Sequence, residues 1–252
     1  MYAIITGASS GCGYEYARVM ASKGYDLLIV SNEETIHDKA NLLRQEYGTT
    51  VLSLVQNLGV QEAAKLLYDY CHTNCIEVEV LINNAGVYHD RDFLNDSENF
   101  NQLIFNLHMH TPAMLMYYFA QDMVKRGKGY ILNMSSYSIW MPYPGLSLYS
   151  ASKAYLKSFS VAFSKEVREK GVYVTAICPA GIATDLYGLS PKLQRLGVKI
   201  GGLMTPESCA RRSLKALWRG RRCKVPDWWF RLFIPICQML GGAPMRWLRN
   251  FT

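Results

Sequence analysis

Six short apolar segments, separated by segments with helical spacing, constrain this chain more than any other feature. Residues 2–6 (YAIIT), 25–30 (YDLLIV), 50–55 (TVLSLV), 78–83 (VEVLIN), 130–134 and 172–178 are strand-length runs, apolar on both faces. Such strands need cover on both sides, so the sheet is parallel and helices lie above and below it. Apolar spacing predicts those helices over 11–23, 60–75, 99–126, 148–170 and 206–218. Ser31-x-x-Glu34 has the form of a capping box, which predicts a further helix running to about Tyr47 and ended by Gly48. No repeat or low-complexity linker interrupts the alternation. The expectation is a single-domain α/β fold over residues 1–219, a doubly wound parallel sheet with helices on both faces, followed by a tail over 220–252.

Half of the residues are apolar and 19% are charged, enough for a large core and unlike a disordered chain. No apolar run reaches the ~18–20 residues of a membrane-spanning helix. The start, MYAIITG, enters a strand with no basic segment before it, so no secretory signal is expected. Seven scattered cysteines are an odd number and read as reduced thiols, which points to a cytoplasmic protein. Cys71-His72-x-x-Cys75 lacks a second half with ligand spacing, so no metal is expected. The net charge of +7 is concentrated: residues 211–252 hold ten Lys+Arg and the single acid Asp227, while the rest is slightly acidic. That balance argues against a body that binds nucleic acid.

Thr6-Gly7-Ala8-Ser9-Ser10-Gly11-Cys12-Gly13 lies between the first strand and the first helix. Gly7 permits a tight turn, Gly11 a close approach of backbone to a pyrophosphate, and Gly13 close packing of helix on sheet. The helix N-terminus then offers unpaired N–H groups to an anion. The alternative is an ordinary glycine-rich strand–helix turn. Tyr149 and Lys153 are four residues apart and share a helix face. An ammonium beside a phenol favours the phenolate, so the pair suits proton exchange with a carbonyl or alcohol. The alternative is a surface tyrosine beside a solvated lysine.

The loop spacing G-x-x-x-G-x-G, with Asn83-Asn84-Ala85-Gly86, Asn106, Asn133-Met134-Ser135-Ser136, Tyr149-Ser150-Ala151-Ser152-Lys153, Pro179 and Thr184 in this order, resembles the short-chain dehydrogenase/reductase family over roughly residues 1–215. The nearest likeness is to hydroxysteroid dehydrogenase and 3-oxoacyl reductase members. The resemblance implies a Rossmann-like fold, a homodimer or homotetramer, and four catalytic residues. Tyr149 is the implied general acid/base, and Lys153 the residue that holds the nicotinamide ribose and tunes Tyr149. Ser136 would hydrogen-bond the substrate oxygen, and Asn106 would kink the long helix and hold a relay water. Ser135 is the neighbour with a structural hydroxyl. The implied cofactor contacts are Gly7, Ser9, Ser10, Gly11, Cys12 and Gly13, then Ser31 and Asn32, then Asn57 and Leu58. Asn84, Ala85, Gly86, Tyr149, Lys153, Pro179, Gly181, Ile182 and Thr184 complete them. Three positions depart from the family: Cys12 for isoleucine, Asn57 for the aspartate that meets adenine, and Ala180 for glycine after the proline. Ser31 stands where an NAD enzyme carries an acid, so NADP is expected ahead of NAD.

Residues 137–148 and 186–204 flank the substrate in the family. Here they contain Tyr137, Trp140, Met141, Tyr143, Leu186 and Tyr187, and Tyr88 follows the Asn-Asn-Ala-Gly turn. A wide aromatic pocket implies a lipophilic carbonyl or alcohol: a steroid, a bile acid or a 3-oxoacyl chain. The alternative is that these rings pack the core or a subunit contact. The tail holds Trp228, Trp229, Phe230, Phe233 and Trp247 among its basic residues, which fits a cap over the cleft or over a subunit, with peripheral membrane contact as a second role. The expected activity is interconversion of a ketone and a secondary alcohol. The rival reading is a non-catalytic dinucleotide sensor on the same fold.

Overall fold

The six expected strands form, and a seventh joins them. The computed structural model describes residues 1–142 and 144–240, so Tyr143 and Trp247 lie outside the described residues. The strands are β1 (Tyr2–Thr6), β2 (Asp26–Ser31), β3 (Val51–Val55), β4 (Val78–Asn83), β5 (Gly129–Met134), β6 (Val172–Ile177) and β7 (Cys223–Lys224). They pair in the order β3-β2-β1-β4-β5-β6-β7, every pair parallel. The order reverses between β1 and β4, and their carboxyl ends open the crevice where such sheets take ligands.

Helices cover both faces, as strands apolar on both sides require. On one face lie α1 (Gly11–Ala21), α2 (Ile36–Tyr47) and α8 (Pro206–Trp218), packed on Ile5, Leu27, Ile29 and Ile82. On the other lie α3 (Ala63–Thr73), α5 (Thr111–Arg126) and α6 (Ser147–Val167), packed on Ile4, Leu28, Leu81 and Ile131. Among the described residues, no helix is long and apolar enough to cross a membrane, and no group of three His, Cys, Asp or Glu is placed to hold a metal.

Four local expectations change. The capping box does not form, because Ser31 is the last residue of β2, paired with Val55, and α2 starts at Ile36. The Ser31 hydroxyl instead accepts from the Glu33 N–H (3.2 Å) and donates to Ser9 Oγ (3.1 Å). The long helix over 99–126 is broken into α4 (Glu98–Ile104), a π-helical segment (Phe105–His110) and α5. Pro112 brings no N–H to the carbonyl of His108, and the wider turns run up to this point. The loop after β6 contains a helix of its own, α7 (Pro191–Lys199), with Pro191 at its first position and Ser190 accepting from the Leu193 N–H. Finally, Cys223 and Lys224 of the expected tail form β7 and pair with Ala176 and Ile177. Beyond them α9 (Phe230–Leu240) sets Phe230 and Ile234 against Tyr137, Cys178 and Val225.

The turn after β1 is locked to the turn after β4. Thr6 Oγ1 accepts from the N–H groups of Asn84 and Ala85 (both 3.0 Å), and Asn84 Nδ2 donates to the carbonyls of Thr6 (3.0 Å) and Gly7 (3.1 Å). Gly7 has φ +64° and an added Cβ would stand 2.8 Å from Ala85 Cα, so only glycine fits there. A Cβ on Gly13 would collide with the carbonyl oxygen of Gly7. Gly13→Ala should therefore cost at least about 2 kcal/mol, or roughly 5 °C of melting temperature in a chain of this length. Gly202→Ala, where nothing lies nearer than 3.7 Å, is the control and should cost far less. Thermal melts of the two variants check this, and equal melting temperatures would refute the packing account.

Candidate active site

The carboxyl ends of the strands enclose a cleft of about 640 Å³. The glycine loop supplies its first wall. Ser10 is the N-cap of α1 and its side chain makes no capping hydrogen bond, so the first turn keeps N–H groups for a ligand. Gly7, Ser9, Ser10, Gly11 and Cys12 line this wall. A Cβ on Gly11 would stand 3.2 Å from Thr184 Cγ2, across the channel a pyrophosphate would occupy. The residues present therefore suit a dinucleotide on their own geometry. Cys12 is a buried thiol whose pKa is pushed well up by Cys209 and by burial, so it is an inert filler here.

The other expected cofactor contacts gather on the same cleft: Ser31, Asn32, Asn57, Leu58, Asn84, Ala85, Gly86, Pro179, Ile182 and Thr184 all line it. Asn57 Oδ1 accepts from the Gly59 N–H at 2.8 Å. Two expected contacts are not in the lining. Gly13 is spent on the approach to Gly7, and a Cβ on Gly181 would collide with Leu203. Ala183, beside Gly181, lines the cleft instead.

Ser136, Tyr149 and Lys153 all line this cleft. Tyr149 is buried in the first turn of α6, with the Lys153 ammonium 5.7 Å from its ring centroid. Lys153 is 5% exposed and its Nζ donates to the carbonyl of Met134 (3.1 Å). Ser135 Oγ donates to the Lys153 carbonyl (2.7 Å), so Ser135 ties α6 to the end of β5. Ser136 Oγ accepts from the Ser138 N–H (3.1 Å) and faces the cleft one residue later. Burial pulls the Lys153 pKa down to about 8.

Asn106 is not brought to this group. Its Nδ2 donates to the Gly59 carbonyl (2.8 Å), its Oδ1 accepts from Gln102 (3.2 Å), and it is not among the lining residues. The residue that does reach the group is His108, which sequence reasoning missed. Its ring stands edge-on to Tyr149 with centroids 5.7 Å apart. The signal was present as Pro112, four residues on, which marks where the helix widens.

The aromatic residues divide between the two readings. Tyr88 stands edge-on to Tyr149 (5.3 Å) and to Tyr187 (4.9 Å), and Leu186 and Tyr187 line the cleft. Tyr137 and Trp140 instead pack beneath α9, where Tyr137 Oη donates to the Phe230 carbonyl (2.9 Å). Met141 does not line the cleft either.

Comparison with known proteins agrees with this geometry. A family model described as short chain dehydrogenase matches residues 1–192. The very-long-chain 3-oxoacyl-CoA reductase of Anas platyrhynchos is 30% identical over 196 residues, covering 75% of this chain and 62% of that protein. The inactive hydroxysteroid dehydrogenase-like protein 1 of Pongo abelii is 32% identical over 205 residues, 77% of this chain and 59% of that protein. The chain thus spans about three fifths of the length of the curated relatives it matches. A short-chain dehydrogenase from Sphingobium yanoikuyae, solved in complex with NADPH, superposes with a TM-score of 0.81 at 26% identity, covering 99% of this chain and 95% of that one. From residue 1 to residue 192, then, this chain belongs to the short-chain dehydrogenase family.

Proposed function

We propose that the protein is an NADP-dependent oxidoreductase that interconverts a ketone and a secondary alcohol on a lipophilic substrate. The observation that carries this reading is that Ser136, Tyr149 and a buried Lys153 line the same cleft as the glycine loop, with the Lys153 ammonium 5.7 Å from the Tyr149 ring centroid. A reduced nicotinamide bound there supplies hydride to the carbonyl carbon. Tyr149 gives its proton to the carbonyl oxygen, and Ser136 donates a hydrogen bond to that oxygen and orients it. Lys153, as an ammonium, favours the phenolate left on Tyr149.

A relative described as inactive matches as well as one described as a reductase, so a non-catalytic dinucleotide-binding protein is the rival reading. Against it stands the whole set: Lys153 alone would serve cofactor binding, but a protein that only binds a dinucleotide has no reason to hold Ser136, Tyr149 and Lys153 together on one cleft. Leu186 and Tyr187 line the cleft, with Tyr88 packed between Tyr187 and Tyr149, and this aromatic and apolar grouping supports a steroid-like or 3-oxoacyl substrate. NADP is favoured because the end of β2 offers the hydroxyls of Ser31 and Ser9 where a carboxylate would repel a 2′-phosphate. Lys39, 5.1 Å from the ring of cleft-lining Tyr14, is a cation near that side, and Glu33 also lines the cleft beside Ser31. The NADPH complex of the Sphingobium yanoikuyae relative agrees. We assign α9 to covering the substrate side through Tyr137 and Val225. Its exposed Leu232, Ile236 and Met239, with Arg231 beside them, supply a peripheral membrane contact. The stacked row Tyr155, Phe159 and Phe163 on α6 is the surface for a second subunit.

Tyr149→Phe should lower turnover by ~10²–10⁴-fold and leave NADPH affinity unchanged. Lys153→Met should lower turnover, weaken NADPH binding and abolish an alkaline limb near pH 8. In the parent that limb marks loss of the ammonium as pH rises through its depressed pKa. Steady-state kinetics against pH, with fluorescence titration of NADPH, checks both. A Tyr149→Phe enzyme within tenfold of the parent would remove Tyr149 from the mechanism.

Ser31→Asp should shift kcat/KM towards NADH, since like charges at this distance cost several kcal/mol. A parent enzyme that already prefers NADH would defeat the NADP reading. Truncation after Pro226 should lower the melting temperature and raise KM for bulky ketones more than for small ones. A truncated enzyme as stable and as active on large ketones as the full chain would show that α9 does not cover the cleft.

A further inference from the structure

His108 is 1% exposed, lies in the π-helical segment, and makes two hydrogen bonds whose polarity fixes its state. Its Nε2 lies 3.0 Å from the backbone nitrogen of Val87. That N–H can only donate, so Nε2 carries a lone pair and the ring proton sits on Nδ1. Nδ1 lies 3.1 Å from Ser152 Oγ, and the Ser152 hydroxyl in turn donates to the carbonyl of Tyr149 (2.7 Å). The chain reads Val87 N–H to Nε2, then Nδ1–H to Ser152 Oγ, then Ser152 O–H to the Tyr149 carbonyl. Each donor meets an acceptor when the imidazole is neutral. An imidazolium would turn an N–H towards the Val87 N–H and break the first link.

The surroundings hold it neutral. The charged and titratable groups that face the ring come from α6: Lys153, and Tyr149 edge-on at 5.7 Å. A small cavity borders His108 and Lys153 together and is otherwise lined by uncharged groups, among them Thr6, Asn83 and Thr111. No carboxylate is among its lining residues. Burial and the Lys153 ammonium together hold the His108 pKa well below its usual value. A Cβ added to Gly86 would stand 3.1 Å from His108 Nε2 and 3.4 Å from Lys153 Nζ, so both side chains press on the same point of the Gly86–Val87 turn. That turn lines the cleft.

We propose that His108 is a positioning residue of this active site, a neutral strut that ties the Gly86–Val87 turn to helix α6 and so sets the distance between the cofactor wall and the Tyr149–Lys153 pair. The proposal rests on the oxidoreductase reading above for its kinetic consequence, but the strut also acts on cofactor binding. Its two ends are a backbone N–H on the cleft wall and the backbone carbonyl of the proton donor. Tyr88, the next residue of the turn, adds a ring contact to Tyr149, and His108 adds the hydrogen bonds at the Val87 N–H and at Ser152. Small displacements between reacting groups are expensive in rate, up to ~10²-fold for about 1 Å.

The test compares His108→Gln with His108→Leu, both close to histidine in bulk. Glutamine can place an amide oxygen near the Nε2 position and keep the Val87 bond. Leucine fills the space and leaves a buried N–H without an acceptor, a loss on the order of tenfold. His108→Gln should stay within about threefold of the parent in kcat and in NADPH affinity. His108→Leu should lose about tenfold or more in kcat with little change in ketone KM, and bind NADPH several-fold more weakly. Its alkaline limb should move below pH 8, because an apolar side chain replaces a polar ring beside the ammonium. Leucine matching the parent in kcat, in NADPH affinity and in the pH profile would overturn the proposal. So would glutamine failing as badly as leucine while remaining folded by circular dichroism. If the parent binds NADPH and reduces no ketone, the oxidoreductase reading falls, and the NADPH affinities of the two variants still decide the role of His108. If leucine does not fold, Ser152→Ala cuts the strut at its other end, and parental kcat in that variant would overturn it.

Discussion

The hydrogen bonds between Thr6 and Asn84 carry the architecture of the cleft. β1 and β4 are the strands at which the order of the sheet reverses, and their chains leave in opposite directions. Nothing in the ladder itself holds the two turns together beyond the last strand pair. Thr6 Oγ1 and the Asn84 amide do so with four short bonds, and they satisfy backbone groups that would otherwise face a buried turn. With the turns fixed, the glycine loop and the Asn84–Gly86 segment become one wall. The prohibitions at Gly7 and Gly13 follow, since both stand against backbone that cannot move.

A second buried network extends the same logic along the sheet. Asn83 Nδ2 donates to Asn133 Oδ1 (2.8 Å) across the β4–β5 pair, and Asn133 Nδ2 donates to Ser160 Oγ (2.8 Å) on α6. Ser135 then bonds the backbone of Lys153. Asn83 Oδ1 is left without a hydrogen-bond partner, but the bonds given by Asn83 Nδ2, Asn133 Nδ2 and Ser135 Oγ fix α6 against β5 and offset part of the desolvation cost. The position of Tyr149 and Lys153 over the cleft is a product of that docking. The buried ammonium is held at the Met134 carbonyl at the price of a depressed proton affinity, the kind of local instability that accumulates at working sites.

Much of this was legible in the sequence, because its signals are local. Strands apolar on both faces announce a parallel covered sheet, and a glycine loop after the first of them announces where an anion would sit. Tyr149 and Lys153 share a face because helical geometry puts residues four apart together. What misled was also local. Ser31-x-x-Glu34 has the letters of a cap, but Ser31 is claimed by pairing with Val55, and a strand outbids a cap that would need the chain to turn sooner. Asn106 is implied by the family resemblance, but it stands in a segment whose pitch changes, and there its side chain turns to Gly59 and Gln102 while His108 faces Tyr149. Tyr137 and Trp140 are aromatic and near the cleft in sequence, yet composition cannot say whether a ring lines a cavity or fills the layer beneath it.

The sequence by itself determined the layered parallel sheet, the glycine loop after its first strand and the shared helix face of Tyr149 and Lys153, since each depends on periodicity or on a short fixed spacing; Ser136 entered only through the family resemblance. Only the tertiary structure decided that Cys223 and Lys224 complete the sheet as β7, that Tyr88 packs between Tyr149 and Tyr187, and that His108 bridges the Val87 N–H and Ser152. These contacts join segments from about twenty to about a hundred residues apart. Their formation depends on how the layers dock and on where one helix departs from its regular pitch, and neither is written in any local run of residues.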